Sequence, residues 1–289
     1  FLQFTYNFVD CIFVSWISED ALTAVSLSFP LTTLMLAFSI GVGVGINVLI
    51  ARRLGEKDQD GADSVVSHGL ILSTAFGIFL NIIILIILRP YFNAFIDDPV
   101  IYDLCLQYMF ICAFFQVPNM VHIAIQKIIQ GTGNMLAPMA FQIAGVVVNF
   151  IFDPLLIFGI GPFPEMGIKG AAVSSIMGYS FSMLWAFYVL IFTKQKVKIQ
   201  TKGFKLDFKI FKDIFSLGMP SFIMNALGAF MVSFANVFLI AYSTTAVAFF
   251  GAYFKAQQLV VMTVNGLIQG CIPIMSFNLG ARNKEMLQK

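Results

Sequence analysis

Charged residues are scarce in this chain. Asp, Glu, Lys and Arg make up only 11% of its 289 residues, against about a quarter in soluble globular domains. Hydrophobic residues make up 59%, and the mean hydropathy is +0.88. This number of charged residues is too small to cover the surface of a domain in water. The composition therefore excludes an ordinary soluble domain.

Motifs of enzymes and nucleotide-binding proteins are also missing from the sequence. The four cysteines, Cys11, Cys105, Cys112 and Cys271, lie in apolar segments without metal-type spacing, so we predict free buried thiols. No G-x-S-x-G stretch occurs. GVGVG at 41–45 lies inside an apolar segment, where it is typical of a small-residue packing face rather than of a phosphate loop. The sequence therefore predicts that the protein is not an enzyme, carries no cofactor and binds no nucleic acid.

Long apolar runs recur along the whole chain instead. Residues 70–88, 135–152 and 171–192 are each long enough to cross a hydrocarbon core of about 30 Å as a helix. Polar, glycine or proline clusters separate eight such segments, near 1–13, 21–51, 63–88, 100–130, 135–158, 171–193, 212–241 and 246–278. The runs are continuous rather than alternating, which favours helices over barrel strands. The predicted fold class is an all-α polytopic membrane protein.

Lys and Arg cluster in alternate loops. Fourteen of the 17 lie in residues 52–63, 127–134, 193–212 and 280–289. The positive-inside rule places these loops in the cytoplasm, with the N-terminus on the same side of a cell (plasma) membrane. On this assignment Lys255 is the only lysine expected within a helix.

An internal repeat appears when the sequence is shifted by 225 residues. Seven identities fall within about 35 ungapped positions, among them Gly45 with Gly270 and Gly55 with Gly280. An even number of predicted helices separates the two copies, so they run the same way through the membrane. Such parallel repeats are related by an axis along the membrane normal, as in some transporter folds.

The repeat predicts a protein of two six-helix lobes, of which this chain is a piece of about eight helices. Residues 1–200 would form the first lobe, without the start of its first helix. Residues 201–289 would begin the second lobe with its first two helices.

Two carboxylates, Asp10 and Asp153, lie well inside apolar segments, in the outer third of the first lobe. An ionisable group costs roughly 3 kcal/mol or more at the centre of a membrane helix, so such a residue is a functional candidate by default. Tyr6 and Asn7 precede Asp10 by four and three residues, and Asn149 precedes Asp153 by four. These spacings place side chains on one helix face.

The residues around Asp153 predict a cation site. Pro154 lacks an N–H, so the carbonyl of Phe150 is free to accept from a cation or water. Burial and a like-charged neighbour both favour a protonated carboxyl, so the pair with Asp10 could bind and release a proton. The same oxygens, with Asn149, could instead hold Na⁺. A purely structural role for both carboxylates is the alternative interpretation.

Three further polar residues, Asn7, Gln116 and Lys255, are candidates for the lining of a substrate cavity. Lys255 could carry a charge linked to an anionic substrate. The alternative is that its side chain snorkels or only faces a cavity.

Six stretches together resemble the multidrug and toxic compound extrusion (MATE) family, and they follow the family's order: YNFVDCIFV (6–14), RLGEKDQDGA (53–62), GTGNMLAPM (131–139), NFIFDPLLIFG (149–159), GIKGAAVSS (167–175) and IPIMSFNLGARN (272–283). The resemblance implies a 6+6 two-lobe fold. It also implies multidrug efflux of organic, often cationic amphipathic compounds in exchange for H⁺ or Na⁺. It implies a first-lobe cation site at Tyr6, Asp10, Asn149 and Asp153, with Ser175 at a position often held by Thr.

One departure from the family pattern separates this chain from the NorM-like branch, which carries a Glu after the conserved Pro of helix 7. Here Pro220 is followed by SFIMNALGAF, without an acid. The chain is more similar to the DinF-like or Firmicute-type branch, and ion coupling through the second lobe is not expected from this segment.

Two other functions stay open. One is a lipid-linked oligosaccharide flippase of the same superfamily, and the other is a non-transporting membrane receptor or scaffold. The pairing of Asn149 with Asp153 and the GAAVSS stretch favour a MATE transporter over the flippase. The 225-residue repeat, with a carboxylate pair in one lobe alone, argues against a receptor or scaffold. The expected partners are the lipid bilayer and small organic substrates, and we expect a monomer.

Overall fold

A computed structural model describes residues 12–96, 98–200, 206–240, 244–283 and 286. Over these residues the chain forms helices and connecting loops, with no strand. After a helical turn at 12–15 come α1 (Glu19–Gly55), α2 (Gln59–Phe95), α3 (Pro99–Phe114), α4 (Gln116–Gly131), α5 (Leu136–Ile157), α6 (Ile168–Phe192), α7 (Phe208–Ile240) and α8 (Thr244–Gly280). The predicted all-α class is confirmed.

Several of these helices are long and apolar enough to cross a membrane. Within the described residues these are α1, α2, α5 and α6, and α3 with α4 forms a fifth candidate. Helices α1 and α2 have 37 residues each, about 55 Å at 1.5 Å per residue, so they extend beyond a hydrocarbon core of about 30 Å. Large apolar side chains such as Ile86, Leu184 and Phe192 are exposed on the outside of the bundle, as on a lipid-facing surface.

Side-chain caps set the start of the first three helices. Oxygens of Ser18, Asp58 and Asp98 each accept a backbone N–H from the first turn of α1, α2 and α3, at 3.0, 2.9 and 2.8 Å. Each cap satisfies one of the N–H groups that a helix start leaves without a partner. The polar clusters that predicted breaks in the sequence contain these caps.

The predicted segment 100–130 consists of two helices. Helices α3 and α4 meet at an angle of 47°. Pro118 has no N–H, so the carbonyl of Phe114 lacks its usual partner one turn later. Nδ2 of Asn81, in α2, donates to that carbonyl at 2.6 Å. The bend is therefore stabilised by a polar side chain from a neighbouring helix.

Helix α2 ends later than the predicted residue 88. It continues through Pro90 to Phe95. Phe92 is fully buried in a cluster that includes Cys105 and Met109. Burying such a side chain stabilises by about 1.5–3 kcal/mol, similar to the roughly 3 kcal/mol that a proline costs inside a helix. Tertiary packing thus extends the helix past the predicted break.

The loops that follow α1, α6 and α8 lie together at one end of the bundle, called here the basic end. Nε2 of Gln59, at the start of α2, donates to the carbonyl of Lys196 at 2.7 Å. The backbone N–H of Asp207 donates to Nε2 of His68 at 2.9 Å. The sequence predicted that these Lys- and Arg-rich loops share one side of the membrane, and the fold brings them together.

The 225-residue repeat recurs in the backbone at the ends of α1 and α8. Among the described residues, Lys57 and Arg282, 225 positions apart, are the non-glycine residues with positive φ, at 61° and 54°. The turn hydrogen bonds recur with the same offset: Asp58 N to Arg53 O at 2.9 Å, and Asn283 N to Asn278 O at 3.0 Å. Because non-glycine residues rarely adopt positive φ, this agreement supports the repeat independently of residue identity.

The two copies of this motif also contact each other. A Cβ on Gly55 would overlap the carbonyl oxygen of Phe277, and a Cβ on Gly280 would overlap that of Arg52. Gly55 is equivalent to Gly280 and Arg52 to Phe277, so the contact is reciprocal, as at an interface related by a two-fold axis. Glycine at both positions permits this approach of α1 to α8. The reciprocity supports the prediction of parallel repeats.

Two hydrophobic clusters organise helices α1 to α6. One lies towards the basic end and includes Ile50 and Ile128. The other lies at the opposite end and includes Phe92 and Ile157. Asp153 lies one turn before Ile157 in α5, so the predicted ion site belongs to the end away from the basic loops.

Candidate functional site

Asp153 is a fully buried carboxylate in the interior of α5. Its Oδ1 accepts from Nδ2 of Asn149, one turn earlier, at 3.2 Å. The same oxygen is hydrogen-bonded to the hydroxyl of Ser174 in α6. Asn149 and Ser174 are themselves buried, with 1% and 0% exposure. The structure thus joins Asp153 to two neutral polar side chains inside the helical bundle.

Ser174 contacts Asp153 through its hydroxyl, whereas the family resemblance pointed to the neighbouring Ser175. Oγ of Ser174 also lies 2.9 Å from the carbonyl of Ala171 and 3.4 Å from Nδ2 of Asn149. Ser175 is also buried, but the next position on a helix is rotated by about 100°.

The hydroxyl of Ser174 is compatible with two protonation states of Asp153. A hydroxyl has one proton to donate and two lone pairs. When it donates to Asp153, the carboxylate is charged. When it donates to the carbonyl of Ala171, a protonated Asp153 donates to it instead. When Asp153 gains or loses a proton, rotation of this hydroxyl therefore suffices to keep the two groups hydrogen-bonded.

Close packing of α5 on α6 brings these groups into contact. A Cβ on Gly145 would lie 2.8 Å from the carbonyl oxygen of Gly178. A Cβ on Gly178 would lie 3.1 Å from Cβ of Asn149. Small residues in both helices let the backbones approach closely, as is common between membrane helices. Asn149 and Ser174 therefore lie within direct reach of each other.

The oxygens at this site suit either a proton or a hard cation. Carboxylate, hydroxyl and amide oxygens are the ligands that hard cations prefer. In the structure the NH₂ group of Asn149 faces Asp153. A rotation of the amide by 180° would present its oxygen instead, and the two orientations are assigned from hydrogen bonding. Binding of a proton requires only the carboxyl of Asp153 and the hydroxyl of Ser174.

The predicted partners Tyr6, Asn7 and Asp10 lie outside the described residues. Phe13, near the start of the described residues, packs on α5, with its ring centroid 6.0 Å from that of Phe150. The chain therefore reaches the described bundle beside the helix that carries Asp153. The approach of Asp10 to Asp153 stays a prediction.

The two described candidates for a substrate cavity have different surroundings. Gln116 is buried at the start of α4, and its Nε2 donates to Oγ of Ser39 in α1 at 3.3 Å. Lys255 lies on α8, and its side chain is outside the described structure. The cavity role of both residues stays a prediction.

Lys127 is a buried cation that the sequence analysis missed. It was assigned to a loop, and Lys255 was taken as the only helical lysine. Both statements are wrong, since Lys127 lies in α4, four residues before its last residue Gly131, and is 7% exposed. Its stem packs on Gly43, where a Cβ would lie 2.8 Å from Cγ. Its amine donates to Oε1 of Gln269 in α8. Helix α4 continues to the GTG stretch at 131–133, where glycine signals the end of the helix.

The fold and site define a polytopic α-helical membrane protein with a buried carboxylate. The family model MatE matches residues 1–155, just over half of the chain. The chain belongs to the MatE family. Members of this family are transporters and not enzymes, and MATE transporters need no cofactor.

Relatives of known name extend the similarity over almost the whole chain. The FAD transporter of Shewanella oneidensis is 27% identical over 282 residues, which cover 96% of this chain and 61% of the relative. The multidrug export protein MepA of Staphylococcus aureus is 25% identical over 295 residues, with coverage of 99% and 62%. The chain thus spans about three-fifths of the length of the curated relatives it matches.

Solved structures share the fold over the same region. An outward-facing multidrug resistance MATE transporter of the MOP superfamily superposes with a TM-score of 0.91 and 27% identity, covering 99% of this chain and 64% of that one. A MATE in complex with MaD3S gives a TM-score of 0.93 at 27% identity, with the same coverage. The predicted MATE-like helical fold is confirmed.

Proposed function

We propose that the protein is a secondary active efflux transporter that exports organic compounds in exchange for H⁺ or Na⁺. The observation that carries the proposal is the buried carboxylate of Asp153 with its contacts to Asn149 and Ser174. A buried acid in a membrane helix is costly, and its oxygens suit a coupling ion. Asp10 and Tyr6 would complete the site from the first helix.

The two-lobe arrangement supplies the movement that transport needs. Helices α1 to α6 would belong to the first lobe, and α7 and α8 would begin the second. In repeat-built transporters one repeat rocks against the other, which alternates access between the two sides of the membrane. The glycine contact between α1 and α8 lies at the basic end, which the positive-inside rule assigns to the cytoplasm of a plasma-membrane protein. The protein would work as a monomer.

Ion and substrate exclude each other in this mechanism. Ion binding changes the charge at Asp153, and Pro154 leaves the carbonyl of Phe150 without a helical donor, so α5 can bend there when the charge changes. The ion and the exported compound then favour different lobe shapes. A downhill ion flux drives export because each ligand shifts the protein towards the state that it prefers.

The named relatives differ in cargo. One is called an FAD transporter and the other a multidrug export protein, so membership of the family alone does not define the exported compound. Cationic amphipathic compounds are one class that the family resemblance favours. A phosphate-bearing dinucleotide is a second candidate, and the buried amine of Lys127 favours it.

The test is Asp153→Asn in the full-length protein, reconstituted in vesicles with an H⁺ or a Na⁺ gradient imposed in turn. The substitution keeps the size and removes the charge, so we expect insertion to survive and ion-driven efflux to fall by about tenfold or more, a barrier change of about 1.4 kcal/mol. Asp103→Asn, the same change at an exposed residue of α3, is the matched control. Wild-type efflux by Asp153→Asn under both gradients would refute the proposal.

A further inference from the structure

Lys127 places a positive charge at a contact between parts of the protein that separate during the proposed cycle. Its side chain is 7% exposed, and its amine donates to Oε1 of Gln269. Lys127 lies on α4 of the first lobe and Gln269 on α8 of the second. We propose that Lys127 binds an anionic group of the exported compound, a carboxylate or a phosphate, when the lobes separate. The inference rests on the proposed transport function and specifies its substrate class.

The charge of Lys127 has no opposite charge beside it in the described structure. The ion pairs found there all lie within residues 52–58, at the basic end. Gln269 is a neutral amide and occupies one of the three donors of the ammonium group. Hydrogen bonds between an ammonium and a carboxylate or phosphate are stronger than those to a neutral amide. The ammonium group of Lys127 therefore favours an anionic partner over the amide of Gln269.

Helix α1 holds Lys127 in place independently of α8. Gly43 provides room for the stem, because a Cβ at that position would lie only 2.8 Å from Cγ of Lys127. Nδ2 of Asn47 donates to the carbonyl of Lys127 at 3.1 Å. When α8 moves with the second lobe, Gln269 leaves with it, whereas Lys127 stays on the first lobe. Separation of the lobes thus releases the amine for a ligand.

A groove of about 530 Å³ lies at the basic end, one helical turn from this contact along both α4 and α8. Gly131 and Pro273 line the groove. Gly131 follows Lys127 by four positions in α4, and Pro273 follows Gln269 by four positions in α8, so each pair lies on one helix face. Phe277 adds an apolar wall, and no acidic residue lines the groove. This volume and mixed lining suit a drug-sized amphipathic compound. Lys127 would then be within reach of a compound in the groove once Gln269 has left with the second lobe.

A purely mechanical role is the competing explanation. The bond between Lys127 and Gln269 could serve only to hold the lobes together. In that case removal of either partner would have the same effect on every exported compound. If Lys127 binds substrate, removal of its charge affects anionic compounds alone, and removal of Gln269 spares them.

The experiment measures binding of two xanthene dyes by fluorescence anisotropy, without an ion gradient. Carboxyfluorescein is anionic and rhodamine 6G is cationic, and both share one ring system. The full-length protein is placed in nanodiscs of phosphatidylcholine, which has no net charge. Lys127→Met and Lys127→Gln remove the charge, Lys127→Arg keeps it, and Gln269→Leu removes only the contact between the lobes.

We expect both charge-removing variants to weaken binding of carboxyfluorescein by about tenfold or more, as for the loss of one charge-assisted hydrogen bond. Binding of rhodamine 6G should stay within about twofold of wild type or tighten, which also shows that each variant is folded. Lys127→Arg should retain most of the carboxyfluorescein affinity. Gln269→Leu should bind carboxyfluorescein as well as wild type or more tightly, because the amine is released.

Three outcomes would overturn the inference. The first is that the wild type does not bind carboxyfluorescein. The second is that Lys127→Met and Gln269→Leu weaken both dyes alike, as for a mechanical contact. The third is that Lys127 affects binding only when phosphatidylglycerol is added, which would assign the amine to a lipid phosphate. Because the assay needs no gradient, failure of ion coupling at Asp153 would leave its result unchanged.

Discussion

Asn149 donates a hydrogen bond to Oδ1 of Asp153, one turn later in α5, at 3.2 Å. This contact connects the spacing of two residues in the sequence with a geometry that can hold an ion. Both side chains are buried and both contact Ser174 of α6. The relationship therefore couples two helices through one amide and one carboxyl.

Asn149→Leu should weaken ion coupling without removing the carboxylate. A hydrogen bond to a charged group contributes roughly 1.5–3 kcal/mol, so we expect the half-saturating ion concentration for efflux to change by about tenfold or more. The measurement is efflux from vesicles of the full-length protein over a range of pH and Na⁺. Asn225→Leu, at an exposed residue of α7 that bonds only within its own helix, is the matched control. Identical ion dependence in the two variants would show that Asn149 does not belong to the site.

Ser174→Ala should impair ion-driven efflux, whereas Ser175→Ala should have a smaller effect. The hydroxyl of Ser174 contacts Asp153, and its loss leaves the carboxyl with one polar neighbour fewer in a buried setting. We expect at least about a fivefold loss of coupled efflux for Ser174→Ala, equivalent to roughly 1 kcal/mol. Both variants make the same chemical change one position apart, so each controls for the other. A larger loss in Ser175→Ala would instead assign the site role to Ser175, the residue that the family resemblance favoured.

The sequence predicted the helix face that Asn149 and Asp153 share but did not resolve neighbours within one turn. Asp153 and Asn149 are four residues apart, and a helix places such residues on one face whatever surrounds it. Ser174 and Ser175 are one residue apart, so their spacing from other motifs did not single out Ser174 as a contact of the carboxyl. The close packing of α5 on α6 at Gly145 and Gly178, which brings Ser174 to the carboxyl, is not visible in a local pattern.

The sequence also did not predict where some helices end, because packing against distant residues can offset a local helix-breaking signal. Lys127 was misplaced because a charged residue near a GTG stretch fits a loop as well as a last helical turn. Pro90 was taken as a break because the burial of Phe92 is invisible in a local pattern. The 225-residue repeat, by contrast, was predictable, since identical residues such as Gly55 and Gly280 occupy equivalent backbone positions.

Asn81→Ala should destabilise the bend between α3 and α4. Asn81 donates to the carbonyl of Phe114, which Pro118 leaves without its helical partner. Loss of the bond leaves a carbonyl unsatisfied at membrane depth, at a cost of about 1–3 kcal/mol. We expect a lower thermal unfolding midpoint of the purified protein. Asn278→Ala removes an amide that bonds only within its own helix, to Ile274, and should shift the midpoint less. Equal midpoints for Asn81→Ala and wild type would contradict this account.

Gly55→Val and Gly280→Val should each open the basic end. In the present arrangement, a Cβ on Gly55 would overlap the carbonyl oxygen of Phe277, and a Cβ on Gly280 would overlap that of Arg52. Helices α1 and α8 must move apart until these atoms reach an ordinary separation of about 3.5 Å. Because the contact is reciprocal under the 225-residue offset, both variants should have the same effect.

The measurement is the distance between spin labels at Asp60 and Met286, two exposed positions near the ends of the two helices. We expect both glycine variants to shift the distance distribution to longer values and to reduce efflux, because the lobes no longer close at this end. Ala281→Val adds bulk at an exposed position beside Gly280 and should leave the distribution unchanged. A shift in only one of the glycine variants would mean that the contact is not symmetric in the working protein. Unchanged distances in both would mean that the approach of α1 to α8 does not close the basic end.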